Sequence, residues 1–194
     1  MSFTTAMKRG FAPMARIAGQ STLLKTTPRL VLSLRCQSTA AGGTIGSQNS
    51  LNKSELPFTY SAQGPQDVKY TKDHEWLAVH ADGTGFLGIT DYAAAALGDT
   101  TYVELPDTDL TVEAEESVGS VESVKSASEV YMPVDGTITE VNTDLESSPQ
   151  LVNTDPLGKG WMIKFKIDEA KGKEQVEALF DLEQYQEFLK TDEH

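Results

Sequence analysis

Residues 119–142, GSVESVKSASEVYMPVDGTITEVN, read as three short strand-like runs divided by two turns. Gly119 and Val121 lie upstream of a small polar tip, Ser123-Val124-Lys125-Ser126, and Pro133 and Gly136 lie downstream, so two arms of similar length flank the tip as in a β-hairpin. A lysine at such a tip is exposed. It is either a solvated turn residue or a handle for attachment. A Schiff-base lysine needs a desolvated pocket, which a hairpin tip does not offer. An exposed lysine suits modification by another enzyme, its four-carbon stem lengthening the reach of whatever is joined to it. The residues alone leave the solvated turn and the modified lysine both open.

Outward from this hairpin the chain keeps the same style. EWLAVH, ADGTG and FLGIT, within residues 75–90, spell strand, turn and strand. DYAAAALGD changes period: Thr90 or Asp91 caps it, the alanines 93–96 favour helix, and Gly98 ends it in a left-handed conformation. TTYVELP, LTVEA, ESVGSVESV, SEVYMPV, GTITEVN and GWMIKFKI follow, each bounded by Gly, Pro, Asp or Asn. Many short strands with this punctuation predict an antiparallel sandwich or barrel. The tail is helical: Val176, Leu179 and Phe180 share a face, and Asp181 with Gln184 forms a capping pair before Leu182, Tyr185, Phe188 and Leu189. That apolar stripe is expected to pack over the sheet.

Charge divides the 194 residues unevenly. No Asp or Glu precedes Glu55, while Lys8, Arg9, Arg16, Lys25, Arg29 and Arg35 fall among Ser, Thr, Leu and Ala. That composition predicts a mitochondrial transit peptide over residues 1–38, with removal expected between residues 34 and 41, and hence a matrix protein. Residues 39–66, rich in Gly, Ser, Asn and Gln, read as a flexible extension. Without the six leading bases, ten remain against 29 acids, a net charge near −19. Such a body repels phosphate backbones and anionic lipid, which argues against nucleic-acid and membrane partners and for basic protein surfaces. Cys36, the single cysteine, lies in the transit segment, so no thiol chemistry is expected after cleavage.

Three patterns suggest other functions and fail on context. Gly83, Gly85 and Gly88 formally match the dinucleotide fingerprint, but Asp82-Gly83 is a hairpin signal and FLGIT alternates as a strand. His74, His80 and His194 have no metal-ligand spacing, so no metal is expected, and His74 reads as a surface or hydrogen-bonding residue. Asn52-Lys53-Ser54 is a glycosylation sequon by pattern only.

The residues around Lys125 then acquire a more specific meaning, because residues 119–142 resemble the lipoyl-lysine segment of the glycine cleavage H-protein family. YTKDHEWL, GITDYAAAALGD, YVELP, LVNTDPLGKGWMIKFKI and LEQYQEFL resemble the family's other signatures in the family's order, so the likeness covers about residues 68–189. Biotinyl domains usually set Met on both sides of their lysine, and lipoyl domains of 2-oxo acid dehydrogenases usually set Asp before it; here the flanks are Val124 and Ser126. The alanines 93–96 stand where many relatives place polar or basic side chains.

The resemblance implies a mostly β lipoyl/biotinyl-type flattened barrel, a sandwich hybrid of short antiparallel strands with a short helix near 91–97 and C-terminal helices, occupying residues 67–194. It implies lipoate bound covalently to Lys125 and a carrier without catalytic activity of its own. Such a carrier takes the aminomethyl group of glycine from a pyridoxal-phosphate glycine decarboxylase to a folate-dependent aminomethyltransferase, and delivers the reduced arm to dihydrolipoyl dehydrogenase. A lipoyl or octanoyl transferase or ligase completes the partners, and a relay of lipoate to 2-oxo acid dehydrogenases is a second role. A carried amine is held best by carboxylates in a partly dry cleft. Glu75, in the family-like HEW segment, and Glu129, four residues after the lysine, are the candidates. Glu122 and Ser123 are candidates for recognition by the lipoylating enzyme.

Overall fold

The computed structural model describes residues 49–51 and 60–192; the expected transit segment 1–38 with Cys36, the Asn52 sequon and His194 lie outside them. Strands β1 (Asp67–Tyr70), β2 (Glu75–Val79) and β3 (Thr84–Ile89) form an antiparallel meander. The β2–β3 connection is the hairpin expected from its glycines: Gly83 takes φ 76° and Gly83 N–H donates to His80 O at 3.0 Å. The GTGFLG glycines are therefore hairpin and strand residues, with no phosphate-binding turn between them and a helix. Helix α1 (Asp91–Leu97) follows. Thr90 Oγ1 accepts from Ala93 N–H at 3.3 Å, and Gly98, at φ 78°, donates its N–H to Ala94 O. Start and stop are those expected from the cap residues.

Strands β4 (Thr100–Glu104), β5 (Thr111–Val112), β6 (Ser117–Ser123), β7 (Ala127–Tyr131) and β8 (Gly136–Val141) come next. Two single-turn helices, α2 (Asp144–Ser147) and α3 (Leu151–Thr154), lead to β9 (Ile163–Ile167) and to helices α4 (Gly172–Ala178) and α5 (Leu182–Asp192). All pairings are antiparallel and make two sheets, β1-β2-β3-β9-β8-β5 and β4-β6-β7. This is the expected sandwich-like, mostly β architecture. Both sheets keep open edges, so it is not a closed barrel.

The main core lies between the sheets. Leu77, Leu87, Ile138, Ile163 and Phe165 from the larger sheet meet Val103, Val121 and Val130 from the smaller one. Strand alternation sends Glu122 and Glu129, neighbours of those valines in sequence, to the exposed face. β2 is covered on both faces: Leu77 enters the sandwich, while Trp76 and Ala78 join a second, aromatic cluster with Tyr70, Phe86, Tyr185 and Leu189. Trp76 is fully buried and satisfies its indole N–H on Pro156 O at 3.0 Å.

α5 supplies Tyr185 and Leu189 to the aromatic cluster, so the tail packs on the sheet as its stripe predicts. Its start is the expected capping pair: Asp181 N–H donates to Gln184 Oε1, and Gln184 N–H to Asp181 Oδ1, both at 2.9 Å. Just before it, Phe180 exchanges two backbone hydrogen bonds with Tyr70, at 2.9 and 3.0 Å, tying the tail to β1.

Of the extension 39–66, the described residues are held against this body. Asn49 and Leu51 are buried, Tyr70 hydroxyl donates to Asn49 O, and Tyr92 N–H donates to Asn49 Oδ1 at 3.3 Å. Tyr60 stacks edge-on to Phe86 and donates to Asp82. Leu51 and Tyr60 are the apolar side chains that a polar, glycine-rich composition obscures.

Gly119 permits the bulge in β6. Its φ is 155°, and a Cβ there would stand 2.3 Å from Glu104 O on the neighbouring strand. Backbone cannot retreat as a flexible side chain can. Gly119→Ala is therefore expected to destabilise the fold by about 1–3 kcal/mol, read as a lower urea midpoint. An unchanged midpoint would show that the bulge relaxes.

Candidate functional site

Strand β6 ends at Ser123 and β7 begins at Ala127, which leaves residues 124–126 as the connection. Ser123 closes it in two ways. Its N–H donates to Ser126 O at 2.8 Å. Its Oγ accepts from the N–H groups of Lys125 and Ser126, each at 3.1 Å, and donates to Ser126 O at 3.1 Å. One donor and two lone pairs are all a hydroxyl has, so Ser123 is saturated inside the tip. Lys125 is exposed, and its main chain is held while its side chain points to no described partner. Val124 beside it is 83% exposed. The turn thus presents a lysine on a braced backbone, as the hairpin reading of this stretch expects.

Glu75 lies at the opposite end of β7. It opens β2 with the parity of Leu77, so its side chain faces the space between the sheets, and only 1% of it is exposed. Oε1 accepts from Tyr131 N–H at 3.1 Å, across to the smaller sheet. Oε2 accepts from the Thr71 hydroxyl, and Thr71 Oγ1 in turn accepts from Glu75 N–H at 3.0 Å. The turn between β1 and β2 is closed further by Thr71 N–H to Glu75 O at 3.0 Å and by His74 at φ 70°. His74 is half-buried, its Nδ1 2.9 Å from Tyr185 hydroxyl.

Burial pushes the Glu75 carboxyl up from its ordinary value, and the bonds from Thr71 and Tyr131 pull against that shift. Among the described residues no cation pairs with it. A buried carboxylate is normally paired. Here the carboxyl without a cationic partner borders an open cleft of about 210 Å³. Thr71, Lys72, Asp73 and Glu75 line it from the β1–β2 turn, Glu115 from the β5–β6 turn, Tyr131 and Pro133 from the end of β7, and residues 178–180 from the tail. Lys72 pairs instead with Glu115, at 3.6 Å, both largely exposed, so this bridge contributes little to stability.

The expected site residues thus fall in two places. Lys125, Glu122 and Ser123 belong to the tip, and Glu75 to the cleft. Glu129 belongs to neither: it is exposed on β7, accepts from Ser117 Oγ, and is not among the residues lining the cleft. Alternation with inward Val130 accounts for this. Thr71 is the residue that the sequence reading missed. Its only signal is a threonine four places before the acid, which has no meaning until the intervening turn is known.

Residues 68–192 match the family model described as glycine cleavage H-protein. The chain is 58% identical over 147 residues to the mitochondrial glycine cleavage system H protein of Saccharomyces cerevisiae, covering 76% of this chain and 86% of that one. It is 50% identical over 121 residues to the glycine cleavage system H protein of Mycolicibacterium gilvum, covering 62% and 92% respectively. A crystal structure of a glycine cleavage system H protein from Mycobacterium marinum superposes with TM-score 0.56 at 37% identity, over 66% of this chain and 98% of that one. With the family model spanning the folded body, and with these relatives matched over most of their own length, the chain belongs to the glycine cleavage H-protein family.

Proposed function

We propose that this chain is a non-catalytic carrier whose Lys125 bears lipoate in amide linkage and whose cleft shelters the aminomethyl group taken from glycine. The observation that carries the reading is the pairing of a braced, exposed lysine with a buried carboxyl group that has no cationic partner among the described residues. β7 joins them. It begins two residues after Lys125 and ends at Tyr131, whose N–H holds Glu75, a span of roughly 14 Å at the rise of a strand. An amine is cationic at neutral pH, and Glu75 supplies the charge that such a group lacks when it leaves water.

The residues present fit the group. Lipoate would supply a disulfide in a strained five-membered ring, which exchanges readily. The chain's own part is to present Lys125, to accept the ammonium at Glu75, and to keep water from it. Glu122, exposed on β6 beside the tip, and the Ser123 brace are what a lipoyl or octanoyl transferase or ligase would meet. In this reading the chain serves glycine decarboxylase, aminomethyltransferase and dihydrolipoyl dehydrogenase in turn, and the bond-making belongs to those partners. The same exposed tip would serve a relay of lipoate to 2-oxo acid dehydrogenases. Deleting the gene and following lipoylation of those enzymes separates the two roles.

An intact mass of the chain purified from its native compartment tests the carrier reading most directly. A lipoyl increment is expected, assigned by peptide mapping to the peptide containing Lys125. A mass equal to the bare polypeptide would sink the proposal. We place the mature protein in the mitochondrial matrix, with residues 1–38 removed as a transit segment, supported by their basic, acid-free composition and by the mitochondrial description of the yeast relative. N-terminal sequencing should begin between residues 34 and 41. An intact Met1 would refute cleavage on import.

A further inference from the structure

We propose that Thr71 is the positioning residue of the cleft: its hydroxyl fixes the Glu75 carboxylate and keeps it ready to hold an alkylammonium group. This rests on the carrier reading and adds to it a residue outside the lysine and the acid. Thr71 is buried, 8% exposed, at the wall of the cleft. That hydroxyl bonds Glu75 twice, donating to Oε2 and accepting from the main-chain N–H at 3.0 Å. The reciprocal pair fixes both the backbone and the carboxylate of the same residue. Tyr131 N–H alone would leave the carboxylate hinged on one oxygen.

The electrostatics give the clamp its consequence. Burial disfavours the charged form of Glu75, and Asp73 in the same turn adds like charge. The charged groups facing it across the cleft are Lys72 and Glu115, which neutralise one another. Among the described residues no cation compensates, so the hydrogen bonds from Thr71, from Tyr131 and from its own main-chain N–H are what favour the carboxylate over the carboxylic acid. A protonated Glu75 could not pair with an ammonium. The Thr71 hydroxyl therefore bears on function through charge as well as through geometry.

The test compares Thr71→Val, which keeps the shape and removes the hydroxyl, with Thr71→Ser, which keeps the hydroxyl. On the unlipoylated chain, the side-chain carbon resonance of Glu75 is followed through a pH titration. Thr71→Val should move the Glu75 midpoint upward and Thr71→Ser should return it towards wild type. On the lipoylated, aminomethyl-loaded chain without aminomethyltransferase, ammonia release should quicken about tenfold in the valine variant, the size of one charge-assisted hydrogen bond, and not in the serine variant. Far-UV dichroism and melting of both variants guard against unfolding. An unmoved midpoint in folded Thr71→Val overturns the inference. A moved midpoint with unchanged ammonia release, together with unchanged release in Glu75→Gln, would leave the clamp standing and refute the cleft as the amine's shelter. A serine variant behaving like valine would show that the threonine methyl, not the hydroxyl, does the positioning, and would likewise overturn it.

Discussion

Lys125→Arg is expected to abolish lipoylation and glycine cleavage while leaving the fold unchanged. Arginine preserves the positive charge at the tip, but its guanidinium stays protonated and is a poor nucleophile towards an activated acyl group. No amide to lipoate can then form. The structure explains why stability should not follow. The Lys125 bond to Ser123 comes from the backbone N–H, which arginine retains, and the side chain packs against nothing described. A substitution at such a position usually changes stability by less than about 0.5 kcal/mol. Melting, intact mass and a reconstituted glycine decarboxylation assay read the three parts of the expectation. Substantial glycine cleavage by the variant, with no other lysine modified, would mean that Lys125 is not the carrier residue. Loss of cleavage together with a fallen melting point would instead assign the loss to the hairpin.

The legible parts of the molecule are those in which a local rule and the tertiary contact agree. Val121 and Val130 alternate with polar neighbours and do enter the core, so the hairpin around Lys125 is legible from its residues alone. Thr90, Gly98 and the Asp181–Gln184 pair cap their helices because capping is settled within four residues. The single-turn helices α2 and α3 carry too few residues for any periodicity to show. The site is legible only in part, for a different reason. Glu75 and Glu129 are equally plausible as acids near a lysine, and only the strand parity of each separates them. One faces inward between the sheets and the other outward. The partners of Glu75 come from Thr71, across a turn in which the non-glycine His74 takes positive φ, and from Tyr131, 56 residues away. The first contact, four residues apart, is made across a turn rather than within a helix or strand, and the second is set only by how the two sheets face one another. Residues 49–51 show the same limit, since Asn49 bonds to Tyr70 and Tyr92, both distant in sequence.

Glu75→Gln is expected to speed ammonia loss from the loaded carrier, roughly tenfold near neutral pH, without preventing lipoylation. The substitution keeps size. Its amide oxygen can accept from Tyr131 N–H while its NH2 faces Thr71 Oγ1, so the cleft need not collapse. What disappears is the charge. A hydrogen bond to an ionised group contributes about 1.5–3 kcal/mol against about 1 for a neutral one, and a difference of about 1.4 kcal/mol is tenfold in an equilibrium. Lipoylation should proceed because Lys125 sits at the far end of β7.

The pH dependence sharpens this test. Burial raises the Glu75 carboxyl above its ordinary value, so the carboxylate proposed to shelter the amine is fully present only above that raised value and is lost as pH falls through it. Ammonia release from the wild-type carrier should therefore quicken on acidification and approach the rate of Glu75→Gln, which has no proton to take up there. Folding stability should move in the opposite sense. A carboxyl whose folded pKa is raised favours the fold when protonated, below its unfolded pKa, and that advantage is lost as pH rises through the folded value. Any stabilisation of Glu75→Gln relative to wild type should thus be greatest at neutral pH and shrink on acidification. Equal release rates for the two proteins at every pH, with normal loading, would make Glu75 a structural acid. Glu129→Gln, on the outer face of β7, would then be the next variant to measure.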